Sequence, residues 1–260
     1  MRPCARSGCG ARRRLTCSRH LHSREVRMVV DTGCRPLMIR SPDAGRRRLF
    51  STGAHDRHDM PLPVEPEIGD IVFIRVTVRP FLEVASATRS WTNHVGIVIG
   101  ERGGEPLIAE STFPLSRVTT MSRFLARSDR GACVIARLKQ PLDAAQRRRL
   151  VEAAMRRIGV VYDTGFNLAS RRQFCSRFVR EVVRDATRIV LGDVETFDML
   201  LRRNPDHPLG FWKIWYFGRI PWRRRTVTPA SLLGSGALRV VEDTREGVEN
   251  VSEGDDPDSV

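Results

Sequence analysis

The chain has 260 residues, of which 41% are hydrophobic, and its formal net charge is +14. Residues 1–59 hold 14 arginines and 5 acidic residues, so +9 of this charge lies in the N-terminal part and only +5 in the rest. This distribution argues against nucleic-acid binding by the body of the chain, and no apolar run approaches the roughly 20 residues of a membrane-spanning helix.

The first 63 residues differ in character from the remainder of the chain. We expect them to form a disordered arginine-rich extension, or to precede a later start at Met28 or Met60. They contain no apolar core of a secretory signal, which predicts a cytoplasmic location. Four cysteines and two histidines here match no ordered pair of zinc-binding arms, so we expect neither a metal nor another cofactor. These residues are Cys4, Cys9, Cys17, Cys34, His20 and His22.

Four apolar segments between residues 71 and 139 predict β-strands. Gly69 and Asp70 precede the apolar run 71–76, which is typical of a buried strand. Two further strands are expected at 93–100 and 105–111, separated by the turn-forming sequence GERGG. A fourth strand is expected at 132–139, where the sequence reads ACVIARLK.

The segment after Pro141 predicts a helix with a defined start and end. Asp143 is a candidate N-cap, and Gln146 follows three residues later as in a capping box. Apolar residues then recur with helical spacing from Leu150 to Ile158, and Gly159 is a stop signal.

A second helix is predicted from about residue 174 to 186, with one apolar face. The expected fold is therefore α+β, an antiparallel sheet packed against helices, in a domain spanning residues 64–243. Residues 244–260 are acidic and poor in core residues, which predicts a disordered tail.

Cys175 lies in the first turn of this second helix, in the sequence RRQFCSRFVREVV. One interpretation is a small packing residue on the apolar face, the usual environment of a free cysteine. The other is a nucleophile, because a helix start stabilises a thiolate. No Ser, Thr, Asp or Asn directly precedes Cys175, so the first N–H groups of the helix are open to an oxyanion.

A cysteine nucleophile needs a base, and His94 is the best candidate because it opens an apolar strand. If the hairpin is centred near Arg102, paired residue numbers sum to 204, and Glu110 directly faces His94. A glutamate in this position would orient the imidazole and stabilise its charged form. The alternatives are a structural histidine and an exposed glutamate at a sheet edge.

These segments carry a resemblance to a known family. The motifs GDIVFIRV, NHVGIVIG, LIAEST and GVVYDTGFN followed by FCSRFV resemble the YiiX/YebB-like permuted papain-like cysteine hydrolases, relatives of the NlpC-type cell-wall peptidases. The histidine precedes the cysteine, as in a circularly permuted member of that superfamily. The resemblance covers about residues 66–185, and residues 227–243 are similar to the family's closing segment.

The resemblance implies a permuted papain-like (NlpC-type) fold and a set of catalytic residues. Cys175 is the implied nucleophile, His94 the base and Glu110 the third polar residue. Tyr162 corresponds to an active-site tyrosine of the non-permuted relatives, where its hydroxyl would help bind the oxyanion; the alternative is a half-buried core tyrosine. Arg177 departs from the small or acidic residue expected after the Cys-Ser pair.

The implied chemistry is acyl transfer through a thioester, with no metal required. Peptide, cell-wall peptide and lipid acyl groups all remain open as substrates, the last because related lecithin:retinol acyltransferases act on lipids. The aromatic segment 207–222 is interpreted as core or lid packing, or as a lipid-facing surface. Two other hypotheses are a catalytically silent binding module of the same fold and a nucleic-acid-binding protein acting through the N-terminal arginines. The sequence does not specify the oligomeric state.

Overall fold

The computed structural model describes residues 64–245, where an antiparallel sheet lies between two groups of helices. The strands are β1 (Ile71–Val76), β2 (His94–Arg102), β3 (Glu105–Glu110), β4 (Arg117–Thr120), β5 (Ser128–Leu138), β6 (Glu195–Thr196), β7 (Arg225–Thr226) and β8 (Leu238–Asp243). The helices are α1 (Arg79–Thr88), α2 (Met121–Leu125), α3 (Ala144–Met155), α4 (Cys175–Thr187), α5 (Phe197–Arg203), α6 (Gly210–Trp215) and α7 (Pro229–Leu233).

The main sheet has six strands in the order β4-β3-β2-β1-β5-β8, and every neighbouring pair is antiparallel. β1 lies in the interior of the sheet and is covered on both faces, which explains its nearly unbroken apolar sequence IVFIRV. β6 and β7 form a separate two-stranded sheet. The predicted α+β class is confirmed.

One face of the sheet packs against α3 and α4. The apolar face of α4 is fully buried there through Phe178, Val179, Val182 and Val183, as the helical periodicity predicts. Burying such side chains contributes about 1.5–3 kcal/mol each. α3 begins with the expected capping box: Asp143 accepts from the Gln146 N–H at 2.7 Å, and Gln146 accepts from the Asp143 N–H at 2.9 Å.

The opposite face carries a smaller core formed with α1 and α2. Met121 and Phe124 of α2 are buried against Val72, Ile74 and the neighbouring strands, and Phe81 of α1 packs against the same cluster. α1 was not among the predicted elements, and its first turn contains a proline, Pro80. The sheet therefore separates two hydrophobic cores. Polar side chains can lie at the ends of its strands, where neither core encloses them completely.

The predicted strands are confirmed within a few residues, but the predicted register of the β2–β3 hairpin is wrong. Ile97 pairs with Ala109, and Arg102 pairs with Glu105, so the turn consists of Gly103 and Gly104 and not of residues centred on Arg102. Both glycines have positive φ angles, 61° and 82°, as a two-residue hairpin turn requires. The pairing also shifts by one residue between Val98 and Gly100.

The expected N-terminal extension, residues 1–63, lies outside the described residues, as do its four cysteines and the alternative starts. The same holds for the acidic tail apart from residues 244 and 245. Within residues 64–245, no helix has the length and apolar character needed to cross a lipid bilayer.

Candidate active site

Cys175 is the first residue of α4, at a helix start without a side-chain cap. Phe174, in the N-cap position, is extended (φ −128°, ψ 166°), and the Phe178 N–H donates to its carbonyl at 2.9 Å. Ser176 anchors this turn by donating from Oγ to the Val227 carbonyl at 2.7 Å. Among the described residues, no protein acceptor takes the Cys175 N–H, so this donor is open to a ligand.

His94 is the first residue of β2 and is fully buried. Its Nε2 donates to Oε2 of Glu110 at 2.7 Å, and its ring lies between Phe81 and Phe124, with centroid distances of 5.6 and 5.7 Å. Burial lowers the pKa of His94, but the charge and close contact of Cys175 and the hydrogen bond to Glu110 outweigh burial and raise it from 6.5 to about 9. The imidazole is therefore held as imidazolium at neutral pH.

The second ring nitrogen of His94, Nδ1, is not bonded to Glu110 and is available to Cys175. Nδ1 is buried and has no hydrogen-bond partner of standard geometry among the described residues. Because Nε2 is bound to Glu110 and Cys175 lies in close contact with the ring, Nδ1 is the atom available for proton exchange with the thiol. An unpartnered buried nitrogen is costly in a resting protein, which is consistent with a functional position.

Glu110 is the last residue of β3 and is also fully buried. Besides His94, it accepts from Arg117 Nε at 3.0 Å and from Arg127 at 2.7 Å. Burial raises the pKa of this carboxyl, but the His94 hydrogen bond and the charges of His94 and Arg127 outweigh burial and lower it to about 2. Neither arginine was predicted from the sequence; the available signal was that a buried carboxylate requires cationic partners.

Although the predicted register is wrong, Glu110 and His94 still meet. Continuing the observed pairing places Gly96 opposite Glu110, and His94 becomes a diagonal neighbour on the same face. A shift of two residues preserves the face of each side chain. Gly96 is tightly enclosed, since a Cβ atom there would lie 2.4 Å from Ile108 Cγ2 and 3.0 Å from Phe124 Cε2.

Tyr162 lies beside Cys175 and is 5% exposed. Burial raises the pKa of its phenol well above 10, and the charge and hydrogen bond of Cys175 raise it further, so the hydroxyl remains a donor. A bridge between Tyr162 and Gln173 and the Tyr162 N–H bond to the Pro114 carbonyl at 2.9 Å hold the residue in place. The structure thus brings together all four residues expected at the site.

Arg177 does not interrupt the pocket despite its departure from the family pattern. Its guanidinium donates to the carbonyls of Ser170 at 2.7 Å and Arg172 at 2.8 Å, and to Glu181 at 2.8 Å. These bonds tie the loop that precedes Cys175 to the helix that begins there. Arg177 is therefore a structural clamp.

A pocket of about 780 Å³, including its open mouth, extends from Cys175. Its wall is mainly aromatic and aliphatic and also contains polar side chains, among them Asn93, Asn204, His207 and Thr228. The apolar lining residues are Phe81, Val84, Ala87, Phe166, Phe174, Phe197, Leu200, Leu201, Leu209, Trp212, Ile220, Trp222, Val227 and Pro229. Such a lining is suited to an apolar group next to the thiol.

The aromatic segment 207–222 forms part of the pocket wall. Trp212 is buried and donates from Nε1 to His207 Nε2 at 3.0 Å, while His207 Nδ1 lies 3.2 Å from Ser86 Oγ on α1. Burial lowers the pKa of His207, which keeps this imidazole neutral and able to accept from Trp212. The predicted packing role therefore holds for the inner side of the segment.

Comparisons with known proteins find relatives of the described region. A family model described as "Permuted papain-like amidase enzyme, YaeF/YiiX, C92 family" matches residues 65–242. The uncharacterized protein YiiX of Escherichia coli (strain K12) is 25% identical over 177 residues, which cover 68% of this chain and 86% of YiiX. The crystal structure of the metalloprotein yiiX from Escherichia coli O157:H7 matches with a TM-score of 0.61 and 24% identity, covering 68% of this chain and 97% of that one.

The description of that relative as a metalloprotein raises the question of a metal here. In residues 64–245, no group of three or more His, Cys, Asp or Glu side chains is placed to hold a metal ion. At the site, Glu110 is engaged by His94 and two arginines. This leaves the Cys175 thiol and Nδ1 of His94 as donors, fewer than the three or four protein ligands of a zinc site. The described residues do not fit a metal centre.

Proposed function

We propose that this chain, which belongs to the YaeF/YiiX (C92) family of permuted papain-like amidase enzymes, hydrolyses an amide bond through a thioester on Cys175. The observation that carries the proposal is a buried imidazole that is bonded through Nε2 to Glu110 and leaves Nδ1 to the cysteine. Because the pKa of His94 is raised to about 9, the imidazole carries a proton when substrate arrives.

In the acylation step, the Cys175 thiolate attacks the substrate carbonyl carbon and a C–S bond forms. The C–N bond then breaks, and the leaving nitrogen takes the proton from Nδ1 of His94. Glu110 stabilises the imidazolium before the transfer and holds the ring in orientation throughout.

Deacylation reverses the role of the histidine. The neutral imidazole takes a proton from water as the water oxygen attacks the thioester carbonyl, and the C–S bond breaks to release the acid. The thiolate and imidazolium are restored. In both steps, the negative carbonyl oxygen would be bound by the Cys175 N–H, which is open in the described structure, and by the Tyr162 hydroxyl.

The family supports a peptide-like amide substrate, and the pocket favours a second candidate, a lipid acyl group. Aromatic and aliphatic side chains surround the space next to Cys175, which is more apolar than recognition of a polar peptide requires. An acyl chain seated there would gain about 0.8 kcal/mol per buried methylene. Cell-wall peptides are a variant of the first candidate.

The two candidates are separated by a substrate series with one leaving group. 4-Nitroanilides of short alanine peptides are compared with those of straight-chain acids from acetyl to octanoyl, and the thioester is trapped by rapid acid quench and intact-mass analysis. If the pocket binds acyl chains, kcat/KM rises roughly fourfold per methylene until the pocket is filled. A preference for the peptide series supports a peptide substrate.

Variants test the catalytic assignment itself. C175A and H94A should each abolish turnover, and the double variant should be no worse than either, because the two residues act as a unit. C133A is the matched control, since Cys133 is buried in β5 and is absent from the pocket wall. A fully active C175A variant would overturn the assignment of Cys175 as nucleophile, whereas a wild-type protein that turns over no substrate and forms no adduct would favour the silent binding module.

A further inference from the structure

The segment 207–225 has an exposed outer side that its packing role does not explain. On the inner side, Trp212 is buried and Trp215 donates from Nε1 to the Thr164 carbonyl at 3.0 Å. On the outer side, Ile214 is 80% exposed and Phe217 is 93% exposed. Lys213 and Ile214 are exposed on α6, whereas Trp212 is buried and Trp215 is half-buried, and Phe217 follows in the turn after the helix ends.

The backbone holds Phe217 outward. Phe217 has a φ of 51° and Gly218 a φ of 79°, so the chain reverses at this point in a conformation that is unfavourable for a bulky residue. The residues next to Phe217 are fixed by packing. Tyr216 stacks on Trp212, and the Arg224 guanidinium lies 5.4 Å from the centre of the Tyr216 ring and donates to the Gly165 carbonyl. A strained backbone that keeps an aromatic ring in water indicates a partner for that ring.

The charged side chains within residues 207–225 are all of one sign. Residues 207–225 contain one lysine and four arginines and no aspartate or glutamate. Lys213, Arg219 and Arg223 are exposed, and none of the salt bridges within residues 64–245 involves them. Two exposed apolar side chains therefore lie in a segment with three cations that form no salt bridge among the described residues. This combination suits a surface on which anionic groups cover an apolar layer.

We propose that residues 207–225 form a docking surface for an anionic lipid bilayer. Ile214 and Phe217 insert among the acyl chains, and Lys213, Arg219 and Arg223 contact the anionic headgroups. An aliphatic side chain beside the aromatic one favours a bilayer over a nucleic acid, whose bases would require stacking surfaces. Other residues of the same segment, among them Trp212 and Trp222, line the pocket next to Cys175, so docking would bring this pocket close to the lipid surface. The surface does not depend on the hydrolase proposal.

The experiment measures partition of the full chain onto sedimented vesicles of phosphatidylglycerol and phosphatidylcholine. The arginines of residues 1–59 also attract anionic vesicles, so binding is measured in about 0.5 M NaCl, where the Debye length is only about 4 Å. Under these conditions we expect I214S/F217S to partition at least about tenfold more weakly than wild type. V240S, which alters an apolar residue 53% exposed on β8, should partition as wild type.

A second pair of variants tests the charges. At about 0.15 M NaCl, R219Q/R223Q should bind anionic vesicles more weakly than R102Q/R239Q, which removes two exposed arginines elsewhere and leaves the same net charge. Equal partition within either comparison overturns the proposal. So does a dimer in sedimentation velocity that I214S/F217S abolishes, which would make a second copy the occupant, or a loss of oligonucleotide binding in that variant with unchanged vesicle binding.

Discussion

Two cysteines of the described chain lie in contrasting surroundings. Cys133 is buried in β5, and burial together with the charges of Glu242 and Asp243 raises the pKa of its thiol to about 11. Cys175 lies at an uncapped helix start beside an imidazolium and lines an open pocket. Their reactivity should therefore differ although both have little exposed surface.

We predict that iodoacetamide at neutral pH modifies Cys175 well before Cys133. The extent of each modification is read from peptide masses over time, which also resolves the four cysteines of residues 1–63. H94A serves as the comparison, because loss of the imidazolium should slow alkylation of Cys175 and leave Cys133 unchanged. Slow labelling of both cysteines at one rate would contradict a catalytic thiol.

Glu110 combines a proposed catalytic role with a structural one. In E110Q the amide keeps the shape but loses the charge that faces the imidazolium, so turnover should fall by roughly ten- to ten-thousand-fold. The same change weakens the buried contact with Arg127 and should lower the free energy of unfolding by about 1–3 kcal/mol. Activity is therefore assayed well below the melting midpoint, with stability followed by urea titration.

R117Q is the control for that prediction. Arg117 is 50% exposed and contacts Glu110 on the side away from His94. Its loss should change stability by no more than about 0.5 kcal/mol and leave turnover near wild type. If R117Q and E110Q lost activity equally, the carboxylate would act through its arginines and not through the histidine.

At the site, residues with distinctive chemistry could be predicted from the sequence, and residues without it could not. Cys175 and His94 stand out because residues 64–245 contain only two cysteines and two histidines. Arg117 and Arg127 do not stand out, because the chain contains 42 arginines and only the folded structure selects the two that meet Glu110. Similarly, the clamp made by Arg177 depends on carbonyl positions that no spacing rule reveals.

At the scale of elements, the β2–β3 hairpin shows why register is harder to predict than strand location. Five residues, GERGG, separate the apolar runs, and any of several turns fits them. The observed turn uses the two adjacent glycines, and the shift near Gly100 adds a further residue. The predicted register differs from the observed one by two residues. Because an even shift leaves every side chain on the same face of the sheet, the prediction that His94 and Glu110 share a face still holds. Short helices such as α5, α6 and α7 were missed because five to seven residues carry too little periodicity.

The hairpin also makes Gly96 a sensitive position. We predict that G96A destabilises the fold by about 1–3 kcal/mol, because the new methyl group overlaps Ile108 and Phe124, both fully buried. Displaced Phe124 would also disturb the His94 ring on which it packs, so kcat should fall as well. Urea titration and turnover measure the two effects.

G210A is the matched control for this substitution. Gly210 is the first residue of α6 and does not have a positive φ. A Cβ atom added there would have no other atom within 4 Å. Alanine there should be neutral or stabilising by up to about 1 kcal/mol. A G96A variant as stable as G210A would show that α2 can move away without cost.

At the scale of the whole molecule, the buried pair should set a pH window for stability. The pKa of His94 is raised from 6.5 to about 9, so its contribution is complete below pH 6.5 and is lost as the pH rises through about 9. The pKa of Glu110 is lowered from 4.5 to about 2, so its contribution is complete above pH 4.5 and is lost as the pH falls through about 2. Together they favour the folded state most between about pH 4.5 and 6.5.

Melting midpoints of wild type and E110Q across this range test the window. The difference between the two proteins should be largest between pH 4.5 and 6.5 and should shrink toward both extremes. In C175A the alkaline decline should begin at lower pH, because Cys175 contributes to the raised pKa of His94. A constant difference at every pH would mean that the pair is not ionised in the folded protein.

The chain order of the site has a consequence for biosynthesis. The hairpin bearing His94 and Glu110 is synthesised first, Cys175 is added only after α3, and β8 completes the sheet at the end of the described region. A chain still being translated thus contains the proposed acid and imidazole before it contains the proposed nucleophile. A product truncated before α4 would lack Cys175, so we expect it to lack the proposed activity.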